Sequence, residues 1–373
     1  MALSGAPLVV VAAGGTGGHL FPAEALSVAL KRRGAIIDLA TDERATRYGT
    51  TFPARKTHVI PSATVRGRDP ISLARTFVTL GLGVTKAWLL LGRLRPAAVI
   101  GFGGYPSIPP VLAASWRGIP TLIHEQNGVM GRANRFLSSR VTAIATGFPG
   151  VFDADPALAA KATHTGNPIR PAVVAAAATP YAPLAANGPL NLIVFGGSQG
   201  ARIMADIVPP ALATLDANLR ARLRVVQQAR EEDFERVRRA YAQAQIAVEV
   251  APFFSDLPAR IAASHLIVSR SGASTVAELA AIGRPAILVP LPHALDQDQK
   301  ANAGVLEKAG GAIRVEQAEF TPERLAAEIN ALAAEPGRLA KMAAAAKSAG
   351  ALDAADRLAD LVLKVAGVIS ARG

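Results

Sequence analysis

The sequence predicts an α/β chain of two doubly wound parallel-sheet domains, and three observations carry that prediction. Short apolar runs of strand type alternate with stretches of helical spacing along most of the 373 residues, the order that builds parallel sheets. Two strand–glycine-loop–helix units, at Gly14–His19 and Gly196–Gly200, open two similar halves. Between the halves, from His164 to Asn191, the texture turns Ala/Pro-rich, bounded by Gly166-Asn167-Pro168 and Asn187-Gly188-Pro189, as a linker does. The domains are expected at 1–168 and 169–355, with a final helix over about 356–373 packing back on the first.

In chain order, Leu8–Ala13 is a buried strand. A glycine loop follows, then a helix from about Pro22 to Arg33, with Pro22 in its first turn and Gly34 as its stop. Ile36–Ala40 completes a βαβ unit. Ala97–Ile100, Thr121–His124 and Thr142–Ala145 continue the alternation, with helices around Pro109–Arg117 and Gly131–Ser138. The second half repeats it with strands at Asn191–Phe195, Arg224–Gln227, Ala247–Val250, Leu266–Ser269 and Ala286–Val289, and is helical and alanine-rich from about Pro322. The two sheets are expected to face a cleft. The ligand edge of such a sheet is the carboxyl end of its strands, where both glycine loops fall.

Composition narrows the function. Half the residues are hydrophobic, so the chain is globular. It has no cysteine, which excludes disulfides and thiol chemistry. A net charge of +12 attracts anions, but aromatic residues are only 5%, too few for base-stacking platforms, and no nucleic acid is expected as partner. No apolar run is expected to reach transmembrane length, because the best stretch, Leu80–Leu91, is broken by Gly81, Gly83 and Lys86. Met1–Pro7 is too short for a signal peptide and lacks its charged start, so the chain is expected in the cytosol. Arg66–Arg95 mixes Arg66, Arg68, Arg75, Lys86, Arg93 and Arg95 with Ile71, Leu73, Phe77, Leu80, Trp88 and Leu89. That mixture suits an anionic membrane surface as well as an ordinary amphipathic core helix.

The chemistry-bearing stretches sit at strand ends. His265–Pro292 reads as strand, polar turn, short helix, strand, and a helix start after a glycine turn binds anions. Within it, Thr275-Val276-Ala277-Glu278 fits either a capping box or a carboxylate accepting two ribose hydroxyls. The first glycine loop is neither a P-loop nor GxGxxG, which disfavours a dinucleotide. His19 at its end is a candidate general base. Gly101–Pro106 is a third glycine loop, and in His124–Gly128 Glu125 is a candidate acid/base or sugar-hydroxyl acceptor. Gly196–Arg202 offers N–H groups, a hydroxyl and the Arg202 cation to a phosphate. Asp296, Gln299 and Asn302 share a helix entry and suit sugar hydroxyls. Asp153-Ala154-Asp155 and Asp296-Gln297-Asp298 look like metal-binding pairs, but without a supporting His/Glu cluster no tightly bound metal or other cofactor is expected.

Together these stretches resemble the MurG-type transferases of bacterial cell-wall synthesis almost end to end. The carriers are GGTGGH at Gly14–His19, GFGGYPS at Gly101–Ser107, HEQNG at His124–Gly128, GNPIR at Gly166–Arg170, GGSQGAR at Gly196–Arg202, SRSGASTVAE at Ser269–Glu278 and QKAN at Gln299–Asn302. The resemblance implies a GT-B fold of two Rossmann-like domains. It implies inverting transfer of N-acetylglucosamine from UDP-N-acetylglucosamine to lipid I, giving lipid II. Donor-binding positions match Thr16, Gly17, Gly18, Asn127, Arg170, Ser198, Phe254, Ala273, Ser274, Thr275, Val276, Ala277, Glu278 and Gln299. Glu278 would hold the ribose and Gln299 the sugar, and Phe254 would meet the uracil through its backbone, with little dependence on its side chain. The implied location is the cytoplasmic face of the inner membrane, bound peripherally to its anionic surface. The implied partners are the two substrates and other cell-wall synthesis proteins.

Overall fold

The computed structural model describes residues 6–14, 17–43, 52–63, 69–197, 200–292 and 297–368. It divides into two compact units, one of Met1–Arg170 with Leu352–Gly373 and one of Pro171–Ala351. The division after Arg170 and the return at Leu352 shift the expected borders by a few residues.

Unit one holds a seven-stranded sheet of β1 (Leu8–Ala12), β2 (Ile36–Thr41), β3 (Lys56–Val59), β4 (Ala98–Gly101), β5 (Thr121–Glu125), β6 (Ala143–Thr146) and β7 (Ala162–His164). Their order is β3-β2-β1-β4-β5-β6-β7, with every pairing parallel. Strands covered on both faces read as unbroken apolar runs, and Val9, Val10 and Val11 are all fully buried. The chain runs outward from β1 to β3, then returns to β4 on the other side of β1. The order therefore reverses between β1 and β4, where α/β sheets bind ligands.

Two helices of this unit depart from expectation. The first begins at Gly17, inside the glycine loop, and runs to Arg32, so Pro22 lies within it and not in its first turn. The proline is tolerated because the hydrogen bond it forgoes would end on Gly18, whose exposed position leaves that carbonyl to water. The second is the 25-residue helix Pro70–Leu94, opened by Asp69, whose carboxylate accepts from the Ser72 N–H. Its Ala74–Leu94 part is long and apolar enough to cross a membrane, with a mean hydropathy of 1.3. That corrects the expectation of no such run, because Gly81, Gly83 and a few cations do not interrupt the helix and its mean hydropathy stays high.

The last described helix, Ala354–Val365, packs on Gly17–Arg32. Leu358, Ala359 and Val362 join the core of unit one. Arg33 bonds Asp356 at 2.7 Å and Asp360 at 2.8 Å.

Unit two holds a six-stranded parallel sheet of β8 (Leu190–Phe195), β9 (Leu223–Gln228), β10 (Ala247–Ala251), β11 (Leu266–Ser269), β12 (Ala286–Leu288) and β13 (Ala312–Arg314). The order β10-β9-β8-β11-β12-β13 reverses between β8 and β11. Arg284 is fully buried. Its guanidinium donates to the carbonyls of Ile282 and Gly283 at the end of one helix, to Ala262 and to Thr179 and Pro180 at the start of the unit. A buried cation is tolerable when its N–H groups are matched in this way.

Candidate functional site

In unit one, three neighbouring strand ends meet at His19. Beyond β1, the helix Gly17–Arg32 carries His19 in its first turn. After β4, Gly103 and Gly104 have φ of 80° and 70°, conformations that favour glycine. A Cβ on Gly104 would lie 3.2 Å from the His19 ring, so the glycines also let the backbone approach it. After β5, Gln126 places Oε1 3.2 Å from His19 Nδ1.

The Gln126 amide settles the histidine tautomer. Its nitrogen donates to the carbonyls of Phe102 at 2.8 Å and His124 at 3.3 Å. Its oxygen therefore faces the imidazole, and Nδ1 must carry the hydrogen. Nε2 is left with its lone pair, on the side of Gly104. Burial lowers the pKa of His19, partly offset by the bonds to Gln126 and Phe102, so the neutral base dominates near pH 7.

Glu125 is buried, and its two oxygens receive four N–H donors. Oε1 accepts from the backbone and side-chain nitrogens of Asn127 at 2.9 and 3.2 Å. Oε2 accepts from the Gly131 backbone at 3.0 Å and Asn134 Nδ2 at 2.7 Å. Burial raises the pKa of its carboxyl, and these donors offset that only in part. A carboxylate so occupied folds the 126–134 loop onto the sheet, and it holds Asn127 as part of that turn. His124 is also fully buried, stacks on Phe102 at 5.4 Å and donates to the Gly166 carbonyl, with its pKa lowered to about 4 by burial. Arg170 spreads its guanidinium over the Phe21 ring at 4.3 Å, beside Glu24. Gly17 packs on the same ring, and Gly18 is exposed. Thr16 lies outside the described residues.

In unit two, the helix Ala273–Ile282 is capped by Gly272 with extended backbone and no side-chain bond. The capping-box alternative is thereby excluded, since it needs Thr275 at the cap. Glu278 instead lies in the second turn, buried, while Ala273, Ser274, Thr275 and Ala277 are partly exposed and Val276 is buried. The N–H groups of Ala273, Ser274 and Thr275 have no partner within the helix.

The next loop is tied to this start. Ser271 Oγ donates to the Gln299 carbonyl at 2.8 Å, and Asn302 Nδ2 donates to the Ser271 carbonyl at 3.2 Å. Gln299 Oε1 accepts from the Leu291 N–H at 3.1 Å, which turns its NH2 group away from that contact. Arg270, also buried, donates to the carbonyls of Val289 and Pro290 at 3.1 and 2.9 Å and to Gln317. Asn302 is fully buried, a brace rather than the sugar ligand its spacing promised.

Phe254 departs from expectation too. The residue is 8% exposed, and its ring lies under the Arg260 guanidinium at 4.5 Å, so the side chain has a packing role of its own. Phe253 beside it is 70% exposed. Arg202 is a surface charge 3.7 Å from Asp206. Asp155 caps a short helix, accepting from Ala157 and Leu158. Ser198 and Asp296 lie outside the described residues.

Sequence reasoning gave no bracing role to Gln126, Asn134, Arg270 or Ser271. Their one signal was position: each is a polar residue at or just beyond a strand's carboxyl end, or opening the helix behind it.

Two all-parallel sheets, each with a glycine turn and a helix start where its strand order reverses, are the GT-B architecture, and the family match makes its class a glycosyltransferase. The chain matches the glycosyltransferase family 28 N-terminal domain over residues 9–146 and the C-terminal domain over 191–358. It belongs to that family, among its MurG-type members. A relative from Rhodopseudomonas palustris is 66% identical over 98% of this chain and all of its own length. One from Bradyrhizobium diazoefficiens is 63% identical over 97% of this chain and 99% of its own. Both are UDP-N-acetylglucosamine--N-acetylmuramyl-(pentapeptide) pyrophosphoryl-undecaprenol N-acetylglucosamine transferases. The crystal structure of MurG from Acinetobacter baumannii is 30% identical and superposes with a TM-score of 0.79, covering 96% of this chain and 99% of that one.

Proposed function

We propose that this chain catalyses the reaction for which those relatives are named, moving N-acetylglucosamine from its UDP carrier to the muramoyl sugar of lipid I and so making lipid II. Unit two binds the donor. The observation that carries this reading is the helix Ala273–Ile282, whose first turn has no acidic residue and no side-chain cap, while Glu278, one turn further, is buried without serving as a cap. The diphosphate meets the helix start, Glu278 accepts the ribose hydroxyls, and the Gln299 amide reaches the sugar. Ser198, Thr16, Asn127 and Arg170 complete the proposed donor contacts.

Unit one supplies the base. The C4 hydroxyl of the muramoyl sugar attacks the anomeric carbon from the side opposite UDP. The new C–O bond forms as the bond to UDP breaks, the hydroxyl proton passes to His19 Nε2, and UDP leaves with the electron pair. Charge growing on the diphosphate is stabilised by the helix start and the Gly196–Gly200 loop. Glu125, with its oxygens already occupied, acts as the anchor of its loop.

The enzyme is peripheral to an anionic membrane surface in this reading. Thr76, Gly83, Ala87 and Leu91 turn the helix Pro70–Leu94 inward, and a Cβ on Gly83 would lie 2.1 Å from the Pro61 carbonyl. A helix so embedded in its own domain is held on it, while Phe77, Val78, Leu82 and Leu89 stay exposed. Arg75, Lys86 and Arg93, eleven and seven residues apart, line one edge of that apolar face.

Replacing Glu278 with alanine tests the donor assignment. The expected result is a rise of about tenfold or more in the KM for UDP-N-acetylglucosamine, the worth of a charge-assisted bond, with little change for a lipid I analogue. An unchanged donor KM refutes it.

A further inference from the structure

We infer that Gln228 is a positioning residue that sets the spacing between the phosphate-binding and base-binding segments of the donor site. The inference rests on the assignment of unit two to the donor. Gln228 ends β9, which lies between β8 and β10. Its side chain reaches to both sides. Oε1 accepts from the Gly196 N–H at 3.0 Å, at the first residue of the glycine loop after β8. Nε2 donates to the Pro252 carbonyl at 3.1 Å, just before Phe253 and Phe254 in the loop after β10. The two ends of the amide are not interchangeable, because only the oxygen accepts and only the nitrogen donates. One buried side chain thus fixes the first peptide of one loop against the carbonyl that opens the other.

The glycine loop depends on such support from outside. Gly197 and Gly200 have φ of 87° and 66°. At Gly196 a Cβ would fall 2.1 Å from the Ala201 nitrogen, so these two residues lie too close for any side chain at 196. Its far end is held from the same segment as its near end, since Arg230 Nη2 donates to the Gly200 carbonyl at 3.3 Å. The Gly196 N–H is spent on Gln228, so Gln228 orients the loop without offering anything to the nucleotide itself. A ligand that spans two subsites gains affinity only while their separation matches its own length. UDP spans both segments and uridine only one. A residue that fixes the separation should therefore matter to UDP and hardly to uridine, whereas a residue that merely stabilises the unit should affect both alike.

The experiment measures UDP and uridine as competitors of the donor, with thermal unfolding in parallel, for the wild type, Gln228→Leu and Gln228→Glu. Leucine keeps most of the volume and loses both bonds. Glutamate keeps the acceptor for Gly196, loses the donor to Pro252 and also reads the role if the leucine variant does not fold. The expected result is UDP weakened about tenfold or more in both variants and uridine changed less than about twofold. Unchanged UDP affinity overturns the inference. So does an equal loss for UDP and uridine, which marks a general loosening of unit two. Failure of the wild type to bind UDP removes the donor assignment itself, and the inference with it.

Discussion

Nδ1 of His19 lies 3.2 Å from Oε1 of Gln126, and that amide, held by two carbonyls, decides which ring nitrogen keeps the proton. In the proposed reaction the proton acceptor is then Nε2. His19→Ala is expected to lower kcat by about two to four orders of magnitude. Gln126→Leu, which frees the tautomer but leaves the ring, should cost less. The pH profile gives the sign. Burial lowers the imidazole pKa beneath its ordinary 6.5, and the base fails once protonated. kcat/KM should therefore hold as pH falls through 6.5 and drop only below it. An acid limb centred above 6.5 would contradict the assignment.

Glu125 should behave differently from a base. Glu125→Gln turns one oxygen into an NH2 group facing N–H donors, either those of Asn127 or those of Gly131 and Asn134. Two donors then oppose each other in a buried place, at a cost of about 2–4 kcal/mol in unfolding free energy. Urea denaturation should show that loss, with kcat per folded molecule reduced far less than in His19→Ala. Wild-type stability with lost turnover would instead make Glu125 the catalytic carboxylate.

The exposed face of Pro70–Leu94 makes a separable prediction. Leu82 and Leu89 are 62% and 57% exposed, so Leu82→Ser with Leu89→Ser should leave unfolding unchanged. Binding to vesicles rich in anionic lipid should fall by about tenfold or more for each leucine that enters the interface. Binding should also weaken with added salt, because Arg75, Lys86 and Arg93 act through a screened field. Equal vesicle affinity for the variant and the wild type would remove this helix from the membrane contact.

Most of the fold was legible in the sequence because its signals are local. The apolar runs at Val9–Val11 and Leu266–Ser269 name buried parallel strands, and Gly283, with φ of 74°, stops its helix as a glycine should. The short strands Lys56–Val59, Ala162–His164 and Ala312–Arg314 were not legible, since three or four residues carry no period. Pro22 misplaced a helix start, because proline in a first turn is a preference and the glycine loop could begin the helix earlier.

The sequence by itself determined which residues stand at the carboxyl ends of the strands: His19, Glu125, Gln126, Arg270, Glu278. Only the tertiary structure decided what each of them does there. His19 and Gln126 are 107 positions apart and meet because β1, β4 and β5 are neighbours in the sheet, an order that no spacing along the chain encodes. Glu125 differs, since its four N–H partners lie on the loop and helix that directly follow β5. Glu278 lost its capping alternative in the tertiary structure, because Gly272 holds the cap of that helix. Hydrogen-bond capacity belongs to the residue, but its use is settled by which partners the fold brings within hydrogen-bonding distance.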